Sequence, residues 1–278
     1  MSEHPELGKV GVWVGTPPRA ELARGLDELG YGAIWIGGSQ GGELEGVERT
    51  LAATSRVTVA TGIVNIWKDD PATIAASYHR LADAYPGRFL LGIGAGHPEA
   101  VSRYVKPYEA LVGYLDGLDA GGVPPSQRAL AALGPKVLRL AADRTAAAHP
   151  YLVTPEHTKQ ARELMGPDVL LAPEQHVVLD ADLVRGRELG RKALSYYLKL
   201  TNYTNNWRRL GFTDDDLAGR GSDRLVHGLV AVGDAEHVSA RITGHLAAGA
   251  DHVCIQLIAL EGADLLAGFS DLAGVLLA

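Results

Sequence analysis

Residues 128–153 read RALAALGPKVLRLAADRTAAAHPYLV. An apolar run opening at Arg128 gives way at Gly134-Pro135 to a stretch with Leu and Ala at helical spacing, and a second apolar run starts near Ala148. Strand, short loop, helix, strand is the unit of a parallel sheet, since parallel neighbours need a crossover of about a dozen residues or more. The Gly-Pro pair adds chemistry to the topology. Proline at the first helical position has no N–H to lose there, and the free N–H groups beside it sit at the positive end of the helix dipole, a ready place for a phosphate. Lys136 would add a positive charge. The plainer reading of the same residues is a helix that merely starts on proline.

Working outward, similar apolar runs start near Lys9 (KVGVWVG), Ala33 (AIWIG), Val57 (VTVATGIV), Arg88 (RFLLGIG), Pro173 (PEQHVVL) and His252 (HVCIQLI), which makes eight with the two above. Eight βα units predict a (β/α)8, or TIM, barrel, here as one domain over residues 1–278. The gap from Pro173 to His252 is too long for one unit. Helical patterns over 183–199, a kinked TNYTNNWRRLGF at 201–212, and further patterns over 222–232 and 235–248 predict an extra helical segment between strands seven and eight, lying over one mouth. Gly30-Tyr31-Gly32, Tyr85-Pro86-Gly87 and Ala248-Gly249-Ala250-Asp251 each precede a run, where glycine takes the positive φ that closes a helix. A doubly wound open sheet competes, but its GxGxxG is missing after the first run, which ends Val14-Gly15-Thr16-Pro17-Pro18.

Composition narrows the function. The 278 residues carry 26 Lys and Arg against 33 Asp and Glu, a formal charge of −7, and show no basic stripe, so nucleic acid is not an expected partner. With 46% hydrophobic residues the chain can bury a large core without staples. The one cysteine, Cys254, has no bridge partner and no zinc-ligand spacing around it, so it reads as an inert core thiol in a reducing cytoplasm, with no metal expected. Neither a signal peptide nor 18 uninterrupted apolar residues is visible, so no membrane partner is expected.

Barrel chemistry lies at the C-terminal strand ends. The first run places Trp13 in the wall or core. The second ends Gly37-Gly38-Ser39-Gln40-Gly41-Gly42, nearly free of side-chain bulk, which suits either a flat ligand against backbone or a plain loop. The third holds Gly62 inside a β-branched strand, a sign of a bulge or of close ligand approach, followed by Asn65, whose amide suits a ligand carbonyl or a cap on its own turn. The fourth ends Gly94-Ala95-Gly96-His97, where His97 is a site candidate or a helix cap. His149 and His176 fall in the sixth and seventh runs with their inward or outward parity open, and Glu174 beside His176 is a candidate buried acid. Thr213 before Asp214, Asp215 and Asp216 reads as a helix start. No H-E-x-x-H is present.

Taken together, GLDELGYGAIWIG, RVTVATGIVNIW, PGRFLLGIGAGH, LAALGPKVLRLAADRTAAAHPYLVTPEHT and TNYTNNWRRLGFTDDDL resemble the luciferase-like monooxygenase superfamily, specifically its coenzyme F420-dependent oxidoreductase branch and a compact actinobacterial subgroup of it. The resemblance implies a non-prolyl cis peptide at Gly62-Ile63 against the back of a deazaflavin or flavin ring, with Asn65 as a polar group beside it. It also implies a rim of Gly37, Gly38, Ser39, Gly94, Gly96 and His97 around the cofactor, and a phosphate held by the backbone of Ala132, Leu133, Gly134 and Pro135. Where better-known F420 enzymes of the superfamily carry an acid and a His after strand two, this chain has Gly37, Gly38 and Ser39.

The leading expectation is an F420-dependent oxidoreductase that moves a hydride between the cofactor and a small organic substrate. His97 is then the proton relay, Asn65 and backbone N–H groups stabilise the reduced ring, and Trp13, Trp67, Tyr203, Asn205, Asn206 and Trp207 form the substrate side. FMN-dependent monooxygenase or reductase chemistry on the same fold is the alternative. A non-catalytic F420 or flavin carrier or sensor is the alternative from another class. A homodimer is compatible with the Ala/Leu-rich outer helices.

Overall fold

The structure is a computed structural model that describes residues 4–96 and 106–277. Its strands are β1 (Val10–Val14), β2 (Ala33–Ile36), β3 (Thr58–Thr61), β4 (Val64–Asn65), β5 (Phe89–Gly94), β6 (Arg128–Leu130), β7 (Ala147–Ala148), β8 (Leu170–Leu171), β9 (Glu174–Leu179), β10 (Val230–Gly233) and β11 (Val253–Leu257). All pairings are parallel, in the order β10-β9-β11-β1-β2-β3-β5-β6-β7-β8, with β4 beside β5. β8 and β9 are two pieces of one extended stretch: Ala172 and Glu174 donate back to the carbonyls of Ala148 and Pro150, and Cys254 donates to Pro173. That stretch therefore joins β7 on one side to β11 on the other, and the sheet closes on itself with eight staves, as the βα spacing predicted.

The helices α1 (Ala20–Leu29), α2 (Glu45–Ala53), α3 (Pro71–Ala84), α4 (Pro107–Ala120), α5 (Pro135–Arg144) and α6 (Pro155–Met165) alternate with the strands. The excursion follows as α7 (Leu183–Leu194), a short 3-10 turn at Tyr197–Lys199, α8 (Thr201–Arg209), α9 (Asp214–Leu217) and α10 (Asp223–Leu229). α11 (Ala235–Ala247) and α12 (Leu265–Leu276) complete the outer ring. Asp70, Thr154, Thr213, Asp234 and Asp264 cap their helices through side-chain oxygens, and Thr213 with Asp216 forms the capping box that the Thr-Asp-Asp-Asp run suggested. Among the described residues no helix is long and apolar enough to cross a membrane.

Strand alternation divides the core in two. Val10, Val12, Ile34, Ile36, Val59 and Leu91 pack against the helices, while Trp13, Ala33, Trp35, Ala60, Leu90, Ala129, Ala147, Ala172 and Cys254 pack together as a separate inner cluster. The register sets Trp13 beside Trp35 and Trp35 beside Ala60, so small residues on neighbouring staves leave room for the indoles. His149 stacks on Trp35 with centroids 4.2 Å apart, and Trp35 Nε1 donates to His252 Nε2 at 3.1 Å. A third cluster, built on Leu152, Leu194, Leu200, Tyr203, Trp207, Leu225, Leu229 and Val230, holds the excursion together.

Two expectations change. Residues 222–232 are not wholly helical: Val230–Gly233 form β10, which pairs with Val177 and Val178 on β9 and ties the excursion to the barrel. A β-branched Val-x-Val with only four residues carries too little periodicity to separate from a helix end. The seventh stave starts at Leu170 rather than at Pro173. The peptide between Gly62 and Ile63 is cis, as the resemblance implied, and the third stave is interrupted there between Thr61 and Val64, as a bulge at Gly62 would require.

Candidate active site

A cavity of about 730 Å³ opens at the C-terminal ends of the staves. Its lining contains Trp13, Gly38, Ser39, Gly62, Ile63, Asn65, Trp67, Gly96, Ala132, Leu133, Gly134, Tyr203 and Asn205, all named from the sequence. The structure thus brings together positions from strands one to five and from the excursion.

The third stave supplies one wall. Asn65 Oδ1 accepts the Trp67 N–H at 3.0 Å, so this oxygen closes a local turn, while Trp67 Nε1 donates to the Ala95 carbonyl at 2.7 Å. A Cβ on Gly96 would come within 2.8 Å of Asn65 Nδ2, so glycine there lets the amide lie flat against the rim. Lys68, also in the lining, donates to the Ser39 carbonyl at 3.2 Å.

The α5 end supplies a second wall. Gly134 is the N-cap and offers no side-chain bond to the free N–H groups of the first turn. Arg209 on α8 reaches to within 3.5 Å of where a Gly134 Cβ would stand and donates to Asn206 Oδ1 at 3.1 Å. Helix dipole and guanidinium therefore add at one spot, an arrangement suited to an anion. Lys136 does not take this part: it is exposed and lies over the Tyr108 ring, 3.7 Å from its centroid. His157 Nε2 donates to the Leu133 carbonyl at 2.9 Å and fixes the turn before α5.

The floor and far side are aromatic. The Tyr151 hydroxyl donates to Gln256 Oε1 at 2.7 Å and lies 2.9 Å from the Tyr197 hydroxyl; the Tyr203 ring packs on Tyr197. Burial pushes the Tyr197 phenol up to about 12 and those of Tyr151 and Tyr203 well above their ordinary value, so all three stay neutral donors at pH 7. Behind them Glu174 and His176 are fully buried, with His176 Nδ1 donating to Glu174 Oε1 at 2.6 Å and Leu152 N–H to Oε2 at 3.1 Å. Glu174 is thus the buried acid its position suggested. Cys254 is buried, with its thiol raised by desolvation, as expected of a core thiol.

Several expected site residues stand behind the lining. The Trp13 ring covers Gly37, where a Cβ would meet it at 2.1 Å. Gly94 is covered by Ile63 and Ala131, and Pro135 is turned to the outside. Asn206 is occupied with Arg209, and Trp207 is core, its Nε1 donating to the Leu152 carbonyl at 3.1 Å. Helical phase explains the last two, since they lie on the side of α8 that faces the excursion's own core. His97 lies outside the described residues. Sequence reading passed over Tyr151, Tyr197, Asn202 and Arg209, which also line the cavity. Tyr151 is two residues beyond His149 in an extended segment, and Asn202, Asn205 and Arg209 share one helical face, so the two simple periods locate them.

Residues 10–116 match the luciferase-like monooxygenase family model. A curated relative, 4-hydroxyprotoasukamycin monooxygenase of Streptomyces nodosus subsp. asukaensis, is 34% identical over 83 residues, which cover 27% of this chain and 22% of that protein. The match thus spans less than a quarter of the relative's length. The coenzyme F420-dependent tetrahydromethanopterin reductase of Methanopyrus kandleri superposes with a TM-score of 0.76 at 14% identity, covering 97% of this chain and 98% of that one. The oxygenating constituent of 3,6-diketocamphane monooxygenase from Pseudomonas putida, solved with FMN, superposes with a TM-score of 0.65 at 16% identity, covering 97% and 96%. Residues 10–116 therefore match the luciferase-like monooxygenase family model, and the chain as a whole has the same fold as these two enzymes.

Proposed function

We propose that the protein is an oxidoreductase that binds coenzyme F420 in the C-terminal cavity and acts on a small organic substrate beside it. The observation that carries this reading is one cavity with a flat, glycine-lined wall around Gly62-Ile63 and an anion site where the open N-terminus of α5 meets Arg209. A planar ring with a phosphate-bearing tail has that combination of shapes. Bound there, a deazaflavin supplies hydride acceptance and donation, and the protein supplies position and polarity.

In this reading Gly38, Ser39, Gly62, Ile63, Asn65 and Gly96 border the ring, and Ala132, Leu133 and Gly134, with Arg209 added, hold the phosphate. Trp13, Tyr151, Tyr197, Tyr203 and Asn205 exclude water on the substrate side. His97 is the proposed proton relay, tested by His97→Asn in single-turnover reduction.

FMN is the second reading, favoured by the FMN-bound Pseudomonas putida relative of the same fold. Fluorescence titration with F420 and, separately, with FMN distinguishes them. Micromolar or tighter F420 binding with weak FMN binding supports the first, the reverse selects the second, and binding of neither overturns both. Turnover of reduced cofactor with any substrate removes the third possibility, a non-catalytic carrier.

A further inference from the structure

The C-terminal face carries a second cavity, of about 940 Å³, at the seam where β1 meets β11. Val14, Leu22, Leu257, Leu265 and Leu266 line it and are half-buried, so apolar surface stays wet there. Covering such surface with an apolar chain is favourable. The charged residues of the lining, Arg19, Glu21 and Asp264, are exposed, and Asp264 Oδ1 is taken up by the N–H groups of Leu266 and Ala267 at 3.0 and 3.2 Å.

Trp13 lines both cavities. A Cβ on Gly62, in the first, would stand 2.8 Å from Trp13 Nε1, and one on Gly15, in the second, would stand 3.8 Å from Trp13 Cζ3. Opposite edges of one indole therefore meet the two linings. A hydrogen bond continues the wall beside it: the hydroxyl of Tyr151, in the first cavity, donates at 2.7 Å to Oε1 of Gln256, in the second. The Trp13 and Tyr151 rings pack with centroids 5.3 Å apart, and a Cβ on Gly37 would meet the indole at 2.1 Å, so glycine there leaves the ring its place. The partition is thus an indole and one side-chain hydrogen bond.

We propose that Trp13 sets the length of the ligand: it ends the first cavity against the second, so the protein takes compact neutral molecules and turns away extended ones. On the near side such a molecule meets Tyr151, Tyr197 and Tyr203, whose phenols carry no charge at pH 7. The second cavity is the continuation that a smaller side chain at position 13 opens, giving one elongated site for a straight apolar chain. That the compact molecule is the substrate of a redox reaction rests on the function proposed above; the length limit itself does not.

A graded series of straight-chain alcohols, from butanol to dodecanol, tests the limit. An alkyl chain gains about fourfold in affinity per buried methylene, so a wall shows as the length at which the gain stops. The full-length protein is titrated with each alcohol, with and without saturating F420 or FMN, while NMR follows the Tyr203 ring for the first cavity and the Leu266 methyls for the second. In the native protein the gain should stop within the series, and no single binding event should move both signals. In Trp13→Ala the gain should continue through longer alcohols, with Tyr203 and Leu266 shifting at one shared Kd. Gln256→Ala removes the other half of the partition, should move the limit in the same direction by fewer carbons, and decides the matter if Trp13→Ala does not fold.

The proposal is overturned if the native protein gains affinity through the whole series, if the limit stays in place in the variants, or if no alcohol binds. It is also overturned if the cofactor displaces every alcohol, since the space before Trp13 then belongs to the cofactor. A protein that shows the limit but binds neither cofactor rejects the redox reading and keeps the role of Trp13.

Discussion

The cavity has two polar regions built on opposite principles. At the α5 end, charge is supplied in the open: Arg209 is exposed, and the helix terminus is bare of any capping side chain. Near Gly62, polarity is supplied without charge, by a buried indole N–H and a neutral imidazole. The first favours an anion from a distance and weakens with salt, while the second discriminates by hydrogen-bond type at contact. Between them lies a row of neutral tyrosines. On the proposed reading, the first region would receive an anionic cofactor tail, and the second offers nothing to an anion.

Acid is the strongest way to break the neutral region while leaving the cationic one intact. Burial holds His149 and His252 down to about 4 and His245 to about 3, against an ordinary value of 6.5. Below about pH 6.5 the unfolded chain binds protons that the native protein refuses, so stability falls as pH drops toward 4, by about 1.4 kcal/mol per pH unit for each group. With three such groups, thermal melts should show a steep loss of Tm between pH 6.5 and 4.5; a flat profile would show that these rings protonate freely in the fold.

Removing the charge is the complementary cut. Arg209→Ala should weaken cofactor binding by roughly ten- to a hundredfold, the range for a charge-assisted hydrogen bond, and should flatten the salt dependence of what remains. Unchanged affinity in a fluorescence titration would move the anion site elsewhere. Gly62→Ala sharpens the other side. The added methyl meets Trp13 at 2.8 Å, and overpacking of this kind costs about 1–3 kcal/mol, so Tm should fall in a thermal melt. The smallest effect is expected at Trp207→Phe, which loses one buried hydrogen bond to Leu152, about 1 kcal/mol, and leaves cofactor affinity unchanged because Trp207 faces the excursion's core.

The barrel was legible because its signals are local and repeated. Seven of the eight staves start where apolar runs begin, and Gly134-Pro135 opens α5 as proline at a first helical position should. β10 was not legible, since four residues ending a helix-like stretch declare themselves as a strand only by pairing with β9. Within the site, backbone-type positions such as Gly38, Gly62 and Gly134 were readable because missing side chains are visible in a sequence. Arg209 and Tyr151 were not read, since their role comes from α8 folding back over the mouth and from sixth-stave parity. His149 marks the boundary: its residue type drew notice, but only its bond to Ala172 assigns the lone pair to Nε2.

The closing seam of the barrel also bears on how the chain folds. β1 pairs with β11, Val10 opposite Val253, so the first strand must wait for nearly the last one before its second edge is covered. Loop-closure entropy makes such distant pairings slow and late. In pulsed hydrogen exchange during refolding, the Val253 amide, which donates to the Lys9 carbonyl, should gain protection after the β2–β3 amides. Trp13, on β1, is then fixed in place only when the ring is complete, so the neutral region near Gly62 is assembled by the final step of folding.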